Sequence, residues 1–160
     1  MTPRSPQLAL RLDAAAPPDP LAPWRDGAAI PYHGGTLTLR LSTGNETASR
    51  RGDELRLALP PEASPRQVRD SAEAWLRDAA TKLVGETLAG EAARRGRPVP
   101  PWRLSFAARG DWAGSDGDGL RIRWRLVEQP PAVIAQVLGR ALAALPQAAP
   151  GGDLFAMLTA

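Results

Sequence analysis

The sequence predicts an α+β domain: a small, mainly antiparallel sheet packed on a long helix and a C-terminal helix. Three observations predict it. Residues 36–42 and 54–59 alternate leucine with polar or small residues at the two-residue period of a half-buried strand. From Ser64 to Gly96, apolar residues recur at three- and four-residue steps, the period of a helix with one buried face. Residues 119–127 alternate again and lead through Pro130 and Pro131 into a second helical run over 133–145.

Residues 1–27 hold six prolines and many alanines, and Pro17-Pro18-Asp19-Pro20 fits neither a helix interior nor a central strand. We read them as an N-terminal arm ahead of a domain over 28–160. Within the arm, residues 7–12 alternate as a short edge strand, and Trp24 is the candidate anchor. The β region starts near Ala29, with Gly34-Gly35 as a turn. Residues 43–53 are polar and turn-like, so the strands on either side read as a hairpin-like pair.

Ser64-Pro65-Arg66-Gln67 is a capping box with proline at the first helical position. Val68, Ala72, Trp75, Leu76, Ala79, Leu83 and Leu88 form the apolar stripe, and Arg94-Arg95-Gly96 is the expected end. Residues 102–107 read as another strand and 109–118 as a polar loop containing Trp112, Gly114 and Ser115. Asp111, Asp116 and Asp118 in that loop lack the closing glutamate of a calcium loop. In 119–127, Leu120, Ile122, Trp124 and Leu126 face one way and Arg121, Arg123 and Arg125 the other. Those arginines read either as a solvent face that discourages edge pairing or as a cationic ridge for an acidic partner or phosphate backbone.

The 160 residues suffice for one domain with a real core. They are 43% hydrophobic, but much of that is alanine, so five tryptophans carry a large share of the packing. The net charge is +3, and Lys82 is the sole lysine. Such arginine, alanine, glycine and proline usage fits the codon bias of a GC-rich bacterial genome, so arginine abundance by itself does not point to nucleic acid. No run approaches the roughly 20 apolar residues of a membrane span, and the N-terminus has no hydrophobic signal core, so a cytoplasmic location is expected. The absence of cysteine excludes disulfides and thiol catalysis. No phosphate loop, nucleophile elbow or dinucleotide fingerprint is present.

The segment 119–127, with Trp124-Arg125-Leu126, the helix 133–145 and the apolar tail 152–158 with Phe155 together resemble the C-terminal half of the YgjP-type zinc metallopeptidases, an HExxH, minigluzincin-like family. In that family a strand ending in Asn-Trp-Arg-Leu precedes a helix carrying His-Glu-Leu-Ala-His, and a third histidine comes before a Phe-Trp pair. Trp112-Ala113-Gly114-Ser115 is similar to the family's Trp-Gly-Ser-Cys stretch, one residue longer and without the cysteine. The resemblance covers roughly residues 29–159 and implies a zincin-like fold.

It also implies where the zinc site would be. The first ligand falls on Arg140, the general base on Ala141, the second ligand on Ala144 and the third near Gly151. Arginine has no free lone pair for a metal, and alanine offers neither ligand nor base. The chain has one histidine, His33. The expectation is therefore a metallopeptidase-like pseudoenzyme with no cofactor and no catalytic residues, which binds a protein or peptide partner. Its contacts are expected from Arg121, Arg123, Arg125, Trp112 and Trp124, beside the cleft with the 133–145 helix. Burying Arg140 unpaired would be costly, so it should be exposed or paired with Glu128 or Asp153. A basic nucleic-acid-associated protein using the same three arginines is the alternative. A hydrolase assembled from Ser115, Asp116, Asp118 and His33 is a third reading.

Overall fold

The computed structural model describes residues 24–44 and 47–147. The chain divides into two compact units. One holds the described residues up to Ile30 together with Thr38–Ala72; the other holds Pro31–Leu37 together with the described chain from Glu73 onward.

Strands β1 (Ala29–Tyr32), β2 (Gly35–Leu41), β3 (Ser49–Arg51) and β4 (Glu54–Leu57) form a four-stranded sheet in the order β1-β2-β4-β3. Leu39, Leu55 and Leu57 are fully buried, as the alternation predicts. The pair read as hairpin-like is in fact parallel, with Leu39 opposite Leu55 and Leu41 opposite Leu57. The cause is β3, which lies inside the stretch read as a polar turn and folds back antiparallel on β4, Arg51 opposite Glu54. A run of Ser49-Arg50-Arg51 has no apolar face, because an edge strand need not bury one. Periodicity is the same in either strand direction, so it could not distinguish parallel from antiparallel pairing.

Helix α1 (Pro65–Arg94) begins at the anticipated capping box. The Gln67 amide N–H donates to Ser64 Oγ at 3.2 Å, and the Ser64 N–H donates to Gln67 Oε1 at 2.8 Å. Its buried residues include Val68, Ala72, Leu76, Ala80, Val84, Leu88 and Ala92. It ends in a Schellman turn: Gly96 has φ +59°, its N–H reaches Ala93 O, and the Arg97 N–H reaches Ala92 O.

In the second unit, β5 (Trp102–Ser105), β6 (Ala113–Asp116) and β7 (Gly119–Arg123) form a sheet in the order β5-β7-β6. β5 runs parallel to β7 and β6 antiparallel to it. A 3₁₀ turn, Trp124–Glu128, then leads to α2 (Pro131–Ala144). Val84, Leu88 and Ala92 of α1, Leu120 and Ile122 of β7, Leu126, and Ile134, Leu138, Leu142 and Leu145 form one core. The expected helices and the α+β class are observed, with the sheet split in two.

Two expectations are corrected here. The alternating run over 119–127 is a strand only to Arg123, where the β5 partner also ends, Ser105 lying opposite Arg123. Beyond it the chain coils, and the adjacent Leu126 and Val127 are both buried, which a two-residue period does not allow. The stretch read as a polar loop over 109–118 contains β6, joined to β7 by the two-residue link Gly117-Asp118 with Gly117 at φ +63°. Among the described residues no helix is long and apolar enough to cross a membrane.

Candidate functional site

Helix α2 carries the positions at which the resemblance puts a zinc site. Pro130 sits at its N-cap, where a missing N–H costs nothing, and Ile134, Leu138 and Leu142 anchor its inner face. Val133, Val137 and Ala141 lie half-buried along one flank. Val137 and Ala141 pack on the same core as Ala113 of β6, and α2 contacts β6. Arg140 and Ala144, one turn apart, are exposed.

These residues do not fit a zinc ion. The helix offers a guanidinium and methyl groups where two imidazoles and a carboxylate would be required. No group of three or more His, Asp or Glu side chains placed to hold a metal occurs among the described residues. Arg140 avoids burial by facing solvent. Glu128, one of its two expected partners, is held instead by Arg125 Nη1 at 2.7 Å. Asp153, the other, lies outside the described residues, as do Gly151, Phe155 and the strand expected over 7–12.

The single histidine serves the backbone and a ring stack. His33 takes φ +49° in the turn between β1 and β2, and its N–H donates to Val127 O at 2.9 Å. Its ring stacks on Tyr32 at 4.1 Å. Next to it, Gly34 (φ +78°) lies so close to Pro130 that an added Cβ would come within 2.7 Å of the proline ring. Ser115 is exposed on β6. Asp116 is engaged by Arg103 Nε at 2.6 Å, and that hydrogen bond, with the charges of Arg103 and Arg121, holds its carboxyl below the usual aspartate range.

The three arginines read as one ridge are not on one strand. Arg121, exposed on β7, is the only one beside the Arg103–Asp116 pair. Arg123 turns back to the loop before β6, donating to Gly110 O at 2.9 Å and Ala108 O at 3.0 Å over the face of Trp112. Arg125 belongs to the 3₁₀ turn. It bridges Glu128 and Glu73 and lies 4.6 Å over Trp124, which is itself buried. Two of the three guanidiniums are thus occupied by internal partners, and Trp124 is a packing residue.

The strand that leads towards α2 offers no edge for pairing. β7 is central, with both of its edges taken by β5 and β6. The edge strand that adjoins α2 is β6. The Arg123 N–H donates to Trp112 O at 2.9 Å, which fixes the antiparallel phase: Gly114 and Asp116 bond inward to β7, and the backbone groups of Ala113 and Ser115 face the edge that is left unpaired among the described residues. The signal that could have revealed this hairpin was the Gly117-Asp118 dipeptide, a two-residue hairpin link set between two short runs.

Two comparisons return nothing: no curated protein and no solved structure matches the chain. A family model described as "YgjP-like, metallopeptidase domain" matches residues 8–138. That match begins within the stretch read as an N-terminal arm and ends at Leu138, before the Arg140 to Ala144 segment. It takes in both sheets, α1 and the first half of α2, so the chain belongs to the YgjP-like metallopeptidase-domain family.

Proposed function

We propose that this chain is a metallopeptidase-fold protein without zinc chemistry, which binds a protein or peptide partner in extended form along β6. The observation that carries the reading is the replacement of the helical ligand set by Arg140, Ala141 and Ala144 in a chain with one histidine and no cysteine. No rearrangement of α2 turns those three side chains into a zinc site with a general base. Backbone pairing needs none of them. An edge strand offers N–H and C=O groups to any extended peptide, and Ala113 and Ser115 present theirs beside α2. Nucleic-acid binding through Arg121, Arg123 and Arg125 is the weaker reading, since Arg123 and Arg125 are already engaged.

Elemental analysis of the purified protein, with a peptidase assay in added zinc, tests the catalytic half. No stoichiometric metal and no hydrolysis agree with the proposal. One tightly bound zinc per chain with chelator-sensitive hydrolysis overturns it. For the binding half, displayed peptides are selected on the wild-type protein and re-tested on Ser115→Pro. That substitution removes an outward N–H while leaving the bonds to β7 in place. Selected peptides should lose the variant; equal binding to both proteins would remove the β6 edge from consideration.

A further inference from the structure

The opposite flank of α2 carries a second feature, independent of β6 and of the erased zinc site's chemistry. Ala135, Gly139 and Ala143 follow one another at four-residue spacing and form the floor of an open groove of about 300 Å³. Glu91 of α1 and Arg95, just past its end, line it on one side, and Gln136 and Arg140 on the other. Gly139 is buried beneath the Glu91–Arg95 ion pair: a Cβ there would come within 2.9 Å of Arg95 Nη2 and 3.1 Å of Glu91 Oε2. The glycine therefore lets this ion pair lie directly across α2.

Charge in the groove is unbalanced. Its one carboxylate, Glu91, is largely buried and already accepts hydrogen bonds from both Arg94 and Arg95. Arg95 spends Nη1 on Glu91, through the carboxylate and the backbone carbonyl, and its side chain is still 34% exposed. Arg140 is exposed, with no ion pair among the described residues. Two guanidiniums, Arg95 and Arg140, thus line the groove with one neutralised carboxylate, around a floor with no side chain larger than a methyl group. A surface of that kind admits the close approach of another backbone and attracts negative charge.

We propose that this groove is a docking surface for an acidic helical segment of a partner protein. Small residues of the segment would lie over Ala135, Gly139 and Ala143, and its carboxylates would pair with Arg140 and the free edge of Arg95. Charge complementarity and the small floor select this occupant.

The test is fluorescence anisotropy at physiological salt with a labelled alanine-rich peptide bearing glutamate at every fourth position, and with a labelled DNA duplex as comparison. The two variants are Arg140→Glu and Ala143→Leu, both at exposed positions and each checked for wild-type melting. The peptide should bind saturably, and each variant should weaken it by about tenfold, one through charge reversal and one through filling the floor. Absence of saturable binding up to about 1 mM peptide would overturn the proposal. So would unchanged affinity in both variants, or equal affinity for the DNA duplex. Because neither variant touches β6, loss of this binding with the Ser115→Pro result intact separates the two readings.

Discussion

Gly119→Ala tests the packing that puts β6 and β7 where they are. Gly119 opens β7 opposite Asp116, the last residue of β6. A Cβ built on it would sit 2.5 Å from Pro101 O and 3.1 Å from Pro101 C, both backbone atoms that cannot swing aside. The same carbonyl accepts the Leu120 N–H at 2.9 Å. Relief of the clash therefore requires β7 to move away from the segment entering β5, at the expense of that bond. Overpacking strain of about 1–3 kcal/mol and a lost hydrogen bond of about 1 kcal/mol give a destabilisation of about 2–4 kcal/mol. At roughly 2–4 °C per kcal/mol for a chain of this size, Tm should fall by about 4–16 °C. Circular dichroism melts and urea titrations read it, with the m-value unchanged. Gly90→Ala is the internal contrast: Gly90 is exposed within α1 with nothing inside 4 Å of an added Cβ, so alanine there should stabilise by about 1 kcal/mol. A Gly119→Ala protein that melts within about 2 °C of wild type would refute the close approach of β7 to Pro101.

Leu138 is fully buried in the core shared by α1, β7 and α2, so Leu138→Ala should cost about 2–5 kcal/mol, read by urea titration. Ser64→Ala removes the acceptor for the Gln67 N–H at the start of α1 and should cost about 1 kcal/mol, seen as a fall in Tm. Asp116 has a lowered folded-state pKa, caused first by its hydrogen bond from Arg103. Its contribution is present above the normal aspartate range and is lost as pH falls through the lowered value; being exposed, it is small. An NMR titration should find the Asp116 carboxyl below the usual range, and Arg103→Gln should return it upward.

What could be read from the sequence was local. The capping box at Ser64–Gln67, the end of α1 at Gly96 and the proline-led start of α2 depend on neighbouring residues, and the structure has all three. The residue types at the positions the resemblance assigns to the zinc site were also legible, because ligand chemistry is a property of residue type: arginine and alanine cannot take the place of histidine and glutamate wherever the helix lies. The side of β2 and of β4 that is buried followed from the alternation of Leu37, Leu39, Leu55 and Leu57.

Partnership between distant segments was not legible. Alternation names a buried face but not a neighbour, so the parallel pairing of β2 with β4 and the central place of β7 were decided only in three dimensions. β3 and β6 are short edge strands that bury little, and they left no hydrophobic period to read. The arginines of 121–125 looked alike in sequence, yet Glu73, Glu128 and the carbonyls of Ala108 and Gly110 engage two of them and leave Arg121 exposed. Sequence alone determined that this helix carries arginine and alanine where the resemblance puts zinc ligands and a general base. Tertiary structure decided which edge and which groove are open among the described residues, because exposure and charge balance arise only when segments far apart in the chain compete for the same partners.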